Sequence, residues 1–449
     1  MLKIFIAENI PSLNKGEMTI LDGMLESFRI LGDARVSMLS ARSEIDEPRY
    51  ISKVKVIDIC EFWHLNCDPD RHQWDKVLSS SLVLLQHLAF ILSYKAFGMG
   101  ALRFFKSNVW EEYLTADVII EGHNGTFGIG GGFLGIPYLY PIYLPIFAKI
   151  LNKPIVFYGG SYVQPRVNFS LFANILNKLF LSLHKIALRN IDLITLRESI
   201  SYQNLKAIGL QGKFILVTAD PALLLQPASS KRITEIMMLE GIKKNSGPLI
   251  GITVTRRIAS RAFPQFNNSL KSYDKHNTVL AETIDNLIEN LDANVIFVPH
   301  CIGFGEKLDD RLVARDIFQK CRNKQNVMLI ENEYNAAELK GLIGQFDLLV
   351  GERLHSVVNA MSMTVPSVVI CSSTDQRSDI IRLLGQDNSI CDGENLGNNA
   401  LLAKINDIYS KRDKIKEELR IQTKSARNQA LLNGRLLNEL LDSRKEKII

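Results

Sequence analysis

FDLLVGERLHSVVNAMSMTVPSVVI, Phe346 to Ile370, decides how the rest of the chain is read. Leu348, Leu349 and Val350 form a short apolar run of the kind that reads as a strand buried in a parallel sheet. Gly351 supplies a turn, and Glu352, Arg353, Leu354, His355 and Ser356 follow it. Val357 to Met363 has helical character, and Val365-Pro366 closes it before a second apolar run, Ser367 to Ile370. Strand, turn, helix and strand make a βαβ unit, with the polar residues at the carboxyl end of its first strand. That edge is where open α/β sheets bind ligands. An arginine and a histidine beside a helix start suit an anion, because the first N–H groups of a helix lack backbone partners and carry the positive end of its dipole. The local alternative is structural: Glu352 and Arg353 cap and pair, and His355 merely begins the helix.

The same alternation extends on both sides. Upstream in the C-terminal half, strands are expected from Leu249 (LIGITVT), over Ala293–Pro299 (ANVIFVP) and over Val327–Ile330, with helices at Thr278–Leu291, Arg311–Lys320 and Glu338–Gly344. His300 stands at a strand exit, ahead of Cys301 and the loop Ile302–Asp310. Downstream, Cys371–Arg377 (CSSTDQR) lies at another strand exit. Nearer the N-terminus, Leu2–Ala7 reads as the first strand. Asn14-Lys15-Gly16-Glu17 then opens an amphipathic helix with Ile20, Leu21, Met24, Leu25 and Phe28 on one face. Gly16 either lets the backbone approach a ligand or serves a plain tight turn.

Further strands are expected at Ala34–Leu39, Val54–Ile59, Ala116–Glu121, Pro154–Gly159 and Ile191–Leu196, with Phe62–Glu112 helical. The loop Gly122–Gly135 (GHNGTFGIGGGFLG) follows a strand and includes Asn124 and Gly125, candidates for a sugar or phosphate contact. It has neither the GxGxxG spacing nor the GK[ST] of a phosphate loop, and a flexible surface loop is the alternative. Ser161 opens a polar loop at the next strand exit. Arg197 takes the same position as Arg353, between a strand and a helix, so two guanidiniums on two sheets would face one another. Val217–Leu225 reads as a short strand in which Asp220-Pro221 is a terminating turn, with a catalytic aspartate as the alternative.

The expected architecture is α/β: two Rossmann-like domains facing a cleft, with a C-terminal helical extension. The N-terminal domain covers residues 1–226, a turn-rich linker 227–248, the C-terminal domain 249–395 and the extension 396–449, polar but for a narrow apolar stripe. At 449 residues, two domains are the natural expectation. A net charge of +5 allows an anionic ligand or an acidic membrane surface and gives no argument for nucleic acid. Six scattered cysteines without a CxxC pair are expected to be reduced, as in the cytosol. Cys60, His64 and Cys67 lack the second half of a zinc site, so no metal is expected. The N-terminus reads directly as a strand, without a signal peptide. In Val77–Phe97 serines, Gln86, His87 and Lys95 interrupt the apolar residues, which points to a core helix, with a membrane-facing helix as the alternative.

Taken in order, NKGEMTILDGML (Asn14–Leu25), ADVIIEGHNG, KPIVFYGGSYVQP, IDLITLRESISYQNLKAIG with its TADP sequel, the VPH strand exit and GERLHSVVNAMSMTVPSV resemble the polysaccharide pyruvyl transferase family. The resemblance runs from the N-terminus to about Gly385. It implies a fold similar to the two-domain GT-B glycosyltransferases, and a reaction in which phosphoenolpyruvate gives its three-carbon unit to a sugar as a cyclic ketal. By the same resemblance Arg197, Arg353 and His355, with the Leu354 backbone, hold the donor, and Arg377 stands near the place of a family lysine. Ser356, Gly16, Ser161 and His300 join the expected binding residues, and Asn124 and Gly125 the acceptor side.

Guanidinium forks suit a donor that carries both a carboxylate and a phosphate. His355 is expected to protonate the vinyl carbon or to neutralise the departing phosphate. No cofactor is implied beyond the donor substrate. The expected partners are phosphoenolpyruvate and a lipid-linked glycan of the cell envelope, with the enzyme cytoplasmic or peripheral at the inner membrane face. The competing expectations are a GT-B glycosyltransferase with a nucleotide-sugar donor and a non-catalytic binding module of the same fold.

Overall fold

The computed structural model describes residues 1–58, 73–123, 140–162, 173–212, 214–242, 247–303, 308–371, 378–394 and 396–446. The chain divides into two compact units. The N-terminal unit comprises Met1–Ser12, Ser27–Asp220 and Leu431–Ile449, and the C-terminal unit comprises Leu13–Glu26 and Pro221–Ala430.

Among the described residues, seven strands form the sheet of the N-terminal unit: β1 (Leu2–Asn9), β2 (Ala34–Ser40), β3 (Lys55–Asp58), β4 (Val118–Glu121), β5 (Ile155–Gly160), β6 (Leu193–Leu196) and β7 (Ile215–Val217). All pairings are parallel, in the order β3-β2-β1-β4-β5-β6-β7. The strands β4 and β6, apolar but for Glu121 and Thr195, are buried along their whole length, as expected when helices cover both faces of a sheet. Phe5, Leu39, Trp110, Tyr113, Phe157 and Leu196 belong to the core of this unit. Phe90 stacks on Trp110 with ring centroids 3.8 Å apart.

The C-terminal unit carries β8 (Leu249–Thr253), β9 (Asn294–Phe297), β10 (Val327–Leu329), β11 (Leu348–Gly351), β12 (Ser367–Cys371) and β13 (Ile390–Asp392). They are parallel in the order β10-β9-β8-β11-β12-β13. In each sheet the order reverses beside its first strand, between β1 and β4 and between β8 and β11. At such switch points the loops leave in opposite directions and open a place for a ligand at the carboxyl ends.

Several expectations shift. The helix Lys15–Phe28 follows β1, yet its residues as far as Glu26 pack with the C-terminal unit. Its start is stitched there: Ile302 N donates to Leu13 O at 3.0 Å, Lys15 N donates to His300 O at 2.8 Å, and Asn14 pairs with Cys301. The expected linker 227–248 contains the helix Ser230–Leu239, capped by the Ser229 hydroxyl. The expected strand Val217–Leu225 is instead the end of β7 and a 3₁₀ turn, Pro221–Leu224. Proline has no N–H for a sheet ladder, and its fixed φ suits the first position of a helical turn.

The C-terminal extension is two helices, Asn398–Ser410 and Arg412–Glu446. Residues of the second helix up to Ala430 count with the C-terminal unit, through buried Ile415, Leu419, Ala426 and Ala430. From Leu431 they count with the N-terminal unit. There Thr218 Oγ1 donates to Asn433 Oδ1 at 2.8 Å, Asn433 Nδ2 donates to Ala219 O at 3.0 Å, and Arg444 pairs with Asp192 at 2.6 Å. No described helix is long and apolar enough to cross a membrane.

Candidate active site

The switch point of the C-terminal sheet holds the polar cluster from which the sequence reading starts. Gly351 ends β11 where a Cβ would stand 2.5 Å from Val357 Cγ2, so only glycine lets the helix Leu354–Ser362 turn back this closely. Glu352 is pinned below the turn: its N–H donates to Thr253 O at 2.9 Å and its Oε2 accepts from Thr255 N at 2.7 Å. Its Oε1 lies 2.6 Å from His276 Nε2 in a fully buried pair. Burial pulls His276 down, but the Glu352 charge and hydrogen bond outweigh it, so His276 titrates above its ordinary value. Ser356 is buried, its hydroxyl bonded to Thr253 Oγ1 at 2.7 Å and to the Arg353 carbonyl at 2.6 Å. It braces the turn instead of facing a ligand.

Arg353 leaves this turn with one edge of its guanidinium occupied. Nε donates to Asp310 Oδ2 at 3.1 Å and Nη2 to Asp310 Oδ1 at 2.5 Å. The same carboxylate accepts the backbone N–H groups of His300 at 3.0 Å and Cys301 at 2.8 Å, which locks the exit of β9 to the exit of β11. The Arg353 side chain does not cap the helix Leu354–Ser362, whose N-terminus therefore keeps its own donors.

A second helix start lies alongside. A Cβ on Gly16 would come within 3.1 Å of His355 Nδ1 and 3.2 Å of His355 Cβ, so the glycine serves the contact between the two helices. Asn359 Nδ2 reaches Thr19 Oγ1 at 3.3 Å and ties them further along. Lys15 is 2% exposed, and its Nζ pairs with Glu333 at 2.7 Å.

Between these groups sits His300, 1% exposed, with neither ring nitrogen bonded to any described residue. Burial, followed by the charges of Arg353, His355 and Lys15, pushes it down to about 3. An imidazole enclosed without a partner is costly in a folded protein, and such groups gather where a ligand completes the bonding. Two cations fixed by carboxylates, two histidines and two helix N-termini make this a prearranged anion site.

The N-terminal unit holds a different kind of group. Arg197 is fully buried there: Nε donates to Ser161 Oγ at 2.6 Å and lies 3.5 Å from Glu198, and Nη1 pairs with Asp220 at 3.0 Å. Ser161 in turn donates to Glu198 Oε2 at 2.9 Å. Arg197 thus knits the exits of β5, β6 and β7 together, and Nη2 alone is left without a partner among the described residues. Asp220, read as turn or catalyst, is the counter-ion of this guanidinium. At the switch point of this sheet, Glu8 Oε2 lies 2.5 Å from His123 Nδ1 and accepts the His123 N–H at 3.1 Å. Glu121 is fully buried beside them, with no hydrogen-bond partner for either oxygen among the described residues. Burial, with Glu8 adding to it, holds its carboxyl well above the usual range.

Asn124, Gly125 and Arg377 lie outside the described residues, as do Cys60, His64 and Cys67. Sequence reasoning passes over Lys15, Asp310 and His276. Asp309-Asp310 before a helix reads as a cap, but only Asp309 caps, accepting from Arg311 N at 3.0 Å, which leaves Asp310 for Arg353. His276 stands in register with Val279, Leu280, Thr283 and Leu287 on the buried face of a helix that begins at Ser269, earlier than expected.

The amylovoran biosynthesis protein AmsJ of Erwinia amylovora is 21% identical over 452 residues, covering 98% of this chain and 100% of AmsJ. Among solved structures, the UDP-GlcNAc 2-epimerase of Neisseria meningitidis bound to UDP-GlcNAc superposes with a TM-score of 0.54 at 12% identity, over 99% of this chain and 100% of its own. A glycosyltransferase of Rickettsia africae gives a TM-score of 0.52 at 11% identity, over 99% and 97%. At such identities the likeness is one of fold, and that fold is GT-B-like. The family model for polysaccharide pyruvyl transferase matches residues 14–373, from the start of the Lys15 helix to beyond β12. The chain belongs to the polysaccharide pyruvyl transferase family and is an enzyme of the transferase class.

Proposed function

We propose that this enzyme transfers the three-carbon unit of phosphoenolpyruvate to two hydroxyls of a sugar in a cell-surface polysaccharide or its lipid-linked precursor, leaving a pyruvate ketal and inorganic phosphate. The observation that supports it most is His300, buried with no ring partner among the described residues and within electrostatic reach of Lys15, Arg353 and His355. The similarity to AmsJ, an amylovoran biosynthesis protein, favours an exopolysaccharide as the acceptor.

The donor's carboxylate and phosphate are two separate anions, and the site offers two sets of donors. Asp310 holds the Nε and Nη2 edge of Arg353, which turns Nη1 and the helix start at Leu354 toward one anion. Lys15, with the start of its own helix, serves the other. A proton delivered to the methylene carbon turns the vinyl group into a methyl and leaves an oxocarbenium-like C2. The first sugar oxygen bonds to C2, the C2–O bond to phosphate breaks, and the second sugar oxygen closes the ketal. Of the two hydroxyl protons released, one balances the proton placed on carbon and the other leaves with phosphate. His355 is the group we assign to the carbon protonation or to the leaving phosphate. The acceptor hydroxyls are assigned to the N-terminal unit, where Glu8 and His123 form an acid–base pair.

Thermal shift with phosphoenolpyruvate, UDP and GDP tests the reading, since a ligand that binds the folded state raises its melting temperature. Stabilisation by phosphoenolpyruvate alone is expected, and stabilisation by a nucleotide alone would replace this reading with a nucleotide-sugar transferase. Arg353→Ala and His355→Ala are expected to abolish phosphate release with a competent acceptor while the circular dichroism spectrum is retained. Wild-type turnover in either variant overturns the donor-site assignment.

A further inference from the structure

The last part of the helix Gln73–Phe97, from Leu85 on, has apolar residues on two opposite sides. His87, Phe90 and Ile91 are buried on one side, with Phe90 and His87 against Trp110 in the core of the N-terminal unit. On the other side Leu85, Leu88 and Leu92 are 61%, 53% and 70% exposed. Their spacing of three and four residues aligns them on one face. At and beyond the helix end a second exposed group, Phe97, Met99 and Phe104, is 65%, 49% and 72% exposed, with the Phe97 and Phe104 rings 6.1 Å apart. Large exposed apolar side chains gathered in one short segment mark a docking surface, where scattered single ones would not.

The charge around these side chains identifies the partner. From Lys76 to Trp110 the sequence has Lys76, Lys95, Arg103 and Lys106 and no aspartate or glutamate. Lys95, Arg103 and Lys106 are exposed beside the exposed phenylalanines. Apolar side chains edged by cations, with no acid among them, match the boundary between anionic headgroups and acyl chains. A second copy of this chain fits poorly. A two-fold contact sets the patch against itself, which brings the like charges of Lys95, Arg103 and Lys106 together. No described helix is long and apolar enough to cross a membrane, so the contact this face suits is one with the membrane surface.

We propose that these exposed side chains, Leu85, Leu88 and Leu92 with Phe97, Met99 and Phe104, are the surface by which the enzyme docks on an anionic phospholipid bilayer. The inference rests on this face alone and stands whether or not the reaction above is correct. Flotation of the full-length protein with phosphatidylcholine vesicles, with and without phosphatidylglycerol, tests it. Wild type is expected to float with the anionic vesicles and to be released by salt. Leu88→Glu/Leu92→Glu is expected to weaken binding by at least about tenfold, and so is Lys95→Glu/Arg103→Glu/Lys106→Glu, whose changes are all at the surface. Failure of the wild type to float, or equal binding by the charge-reversed variant, overturns the proposal. So does a dimer in light scattering that the leucine variant converts to monomer, because the face would then belong to a second copy.

Discussion

Asparagine at position 310 keeps the outline of the side chain and removes its charge, in a place where four donors converge. Asp310 is 2% exposed. Its Oδ2 accepts from His300 N at 3.0 Å, Cys301 N at 2.8 Å and Arg353 Nε at 3.1 Å, and its Oδ1 accepts from Arg353 Nη2 at 2.5 Å. An amide has one acceptor oxygen. If it keeps the first three bonds, it turns an NH₂ group toward the guanidinium, and a charge-assisted bond worth about 1.5–3 kcal/mol becomes a contact between donors. Removing one partner of a buried pair costs about 3–5 kcal/mol, and the Arg353 side chain, 16% exposed, is wet enough to place the loss near the lower end.

At roughly 2–4 °C per kcal/mol, the expected fall in melting temperature is about 6–12 °C by differential scanning fluorimetry at neutral pH. On the reading proposed above, Asp310 holds Arg353 so that its free edge meets the donor. The stabilising shift by phosphoenolpyruvate is therefore expected to be smaller in Asp310→Asn than in wild type. A variant that melts within about 2 °C of wild type, a difference worth less than about 1 kcal/mol, refutes the idea that Asp310 holds Arg353 in place.

Gly16→Ala brings a Cβ within 3.1 Å of His355 Nδ1, so turnover is expected to fall roughly tenfold to a hundredfold with little change in melting temperature; unchanged turnover rejects the contact as functional. His276→Gln tests the Glu352 pair. The folded pKa of His276 lies above the unfolded one, so its contribution is complete below about pH 6.5 and fades as pH rises through the folded value. The deficit in urea unfolding free energy should therefore shrink between mildly acid and alkaline buffer, and a pH-independent deficit contradicts the charged pair.

Lys340 is buried with its Nζ on the Leu225 carbonyl at 2.8 Å, and burial pulls it down to about 7. Its folded pKa is thus depressed, the unfolded chain holds the extra proton between about pH 7 and 10.4, and stability rises across that window. Lys340→Met should be the more stable form below about pH 7 and lose that advantage on the alkaline side, which thermal melts at several pH values will read. In the free enzyme His300 is held neutral at pH 7, and a bound multivalent anion favours its protonation. Calorimetry of phosphoenolpyruvate in buffers of different ionisation enthalpy should show proton uptake that His300→Gln abolishes.

The strands were legible because parallel sheets buried on both faces demand largely apolar runs, and β4, β8 and β11 are built on them: Val118–Ile120, Leu249–Ile252 about Gly251, and Leu348–Val350. The Arg353 turn was legible for the same reason: polar residues directly after such a run must lie at its carboxyl end. Which sheet a helix joins is not written in its own pattern. The Lys15–Phe28 helix has an ordinary amphipathic stripe, and its contacts with residues near His300 and with His355, Asn359 and Glu333 are what tie it to the C-terminal unit. Asp310 hid behind the capping signal of its neighbour. His276 hid because a histidine in a helical pattern reads as polar surface until Glu352 is seen across from it. Val217–Leu225 misled because Ala222, Leu223 and Leu224 are as buried in a 3₁₀ turn as they would be in a strand.

The two units trade segments, Leu13–Glu26 going one way and Leu431–Ile449 the other. A ribosome making this chain therefore releases the last piece of the N-terminal unit only after the whole sheet of the C-terminal unit, and the helix Lys15–Phe28 waits until β8 and its neighbours have been made before its own sheet exists. Cutting the gene at the boundary near Asp220 yields two fragments that each lack a part of their own hydrophobic interior. Expression of either fragment alone is expected to give chaperone-bound or aggregated material, and mixing the two in a refolding experiment should do better than either by itself.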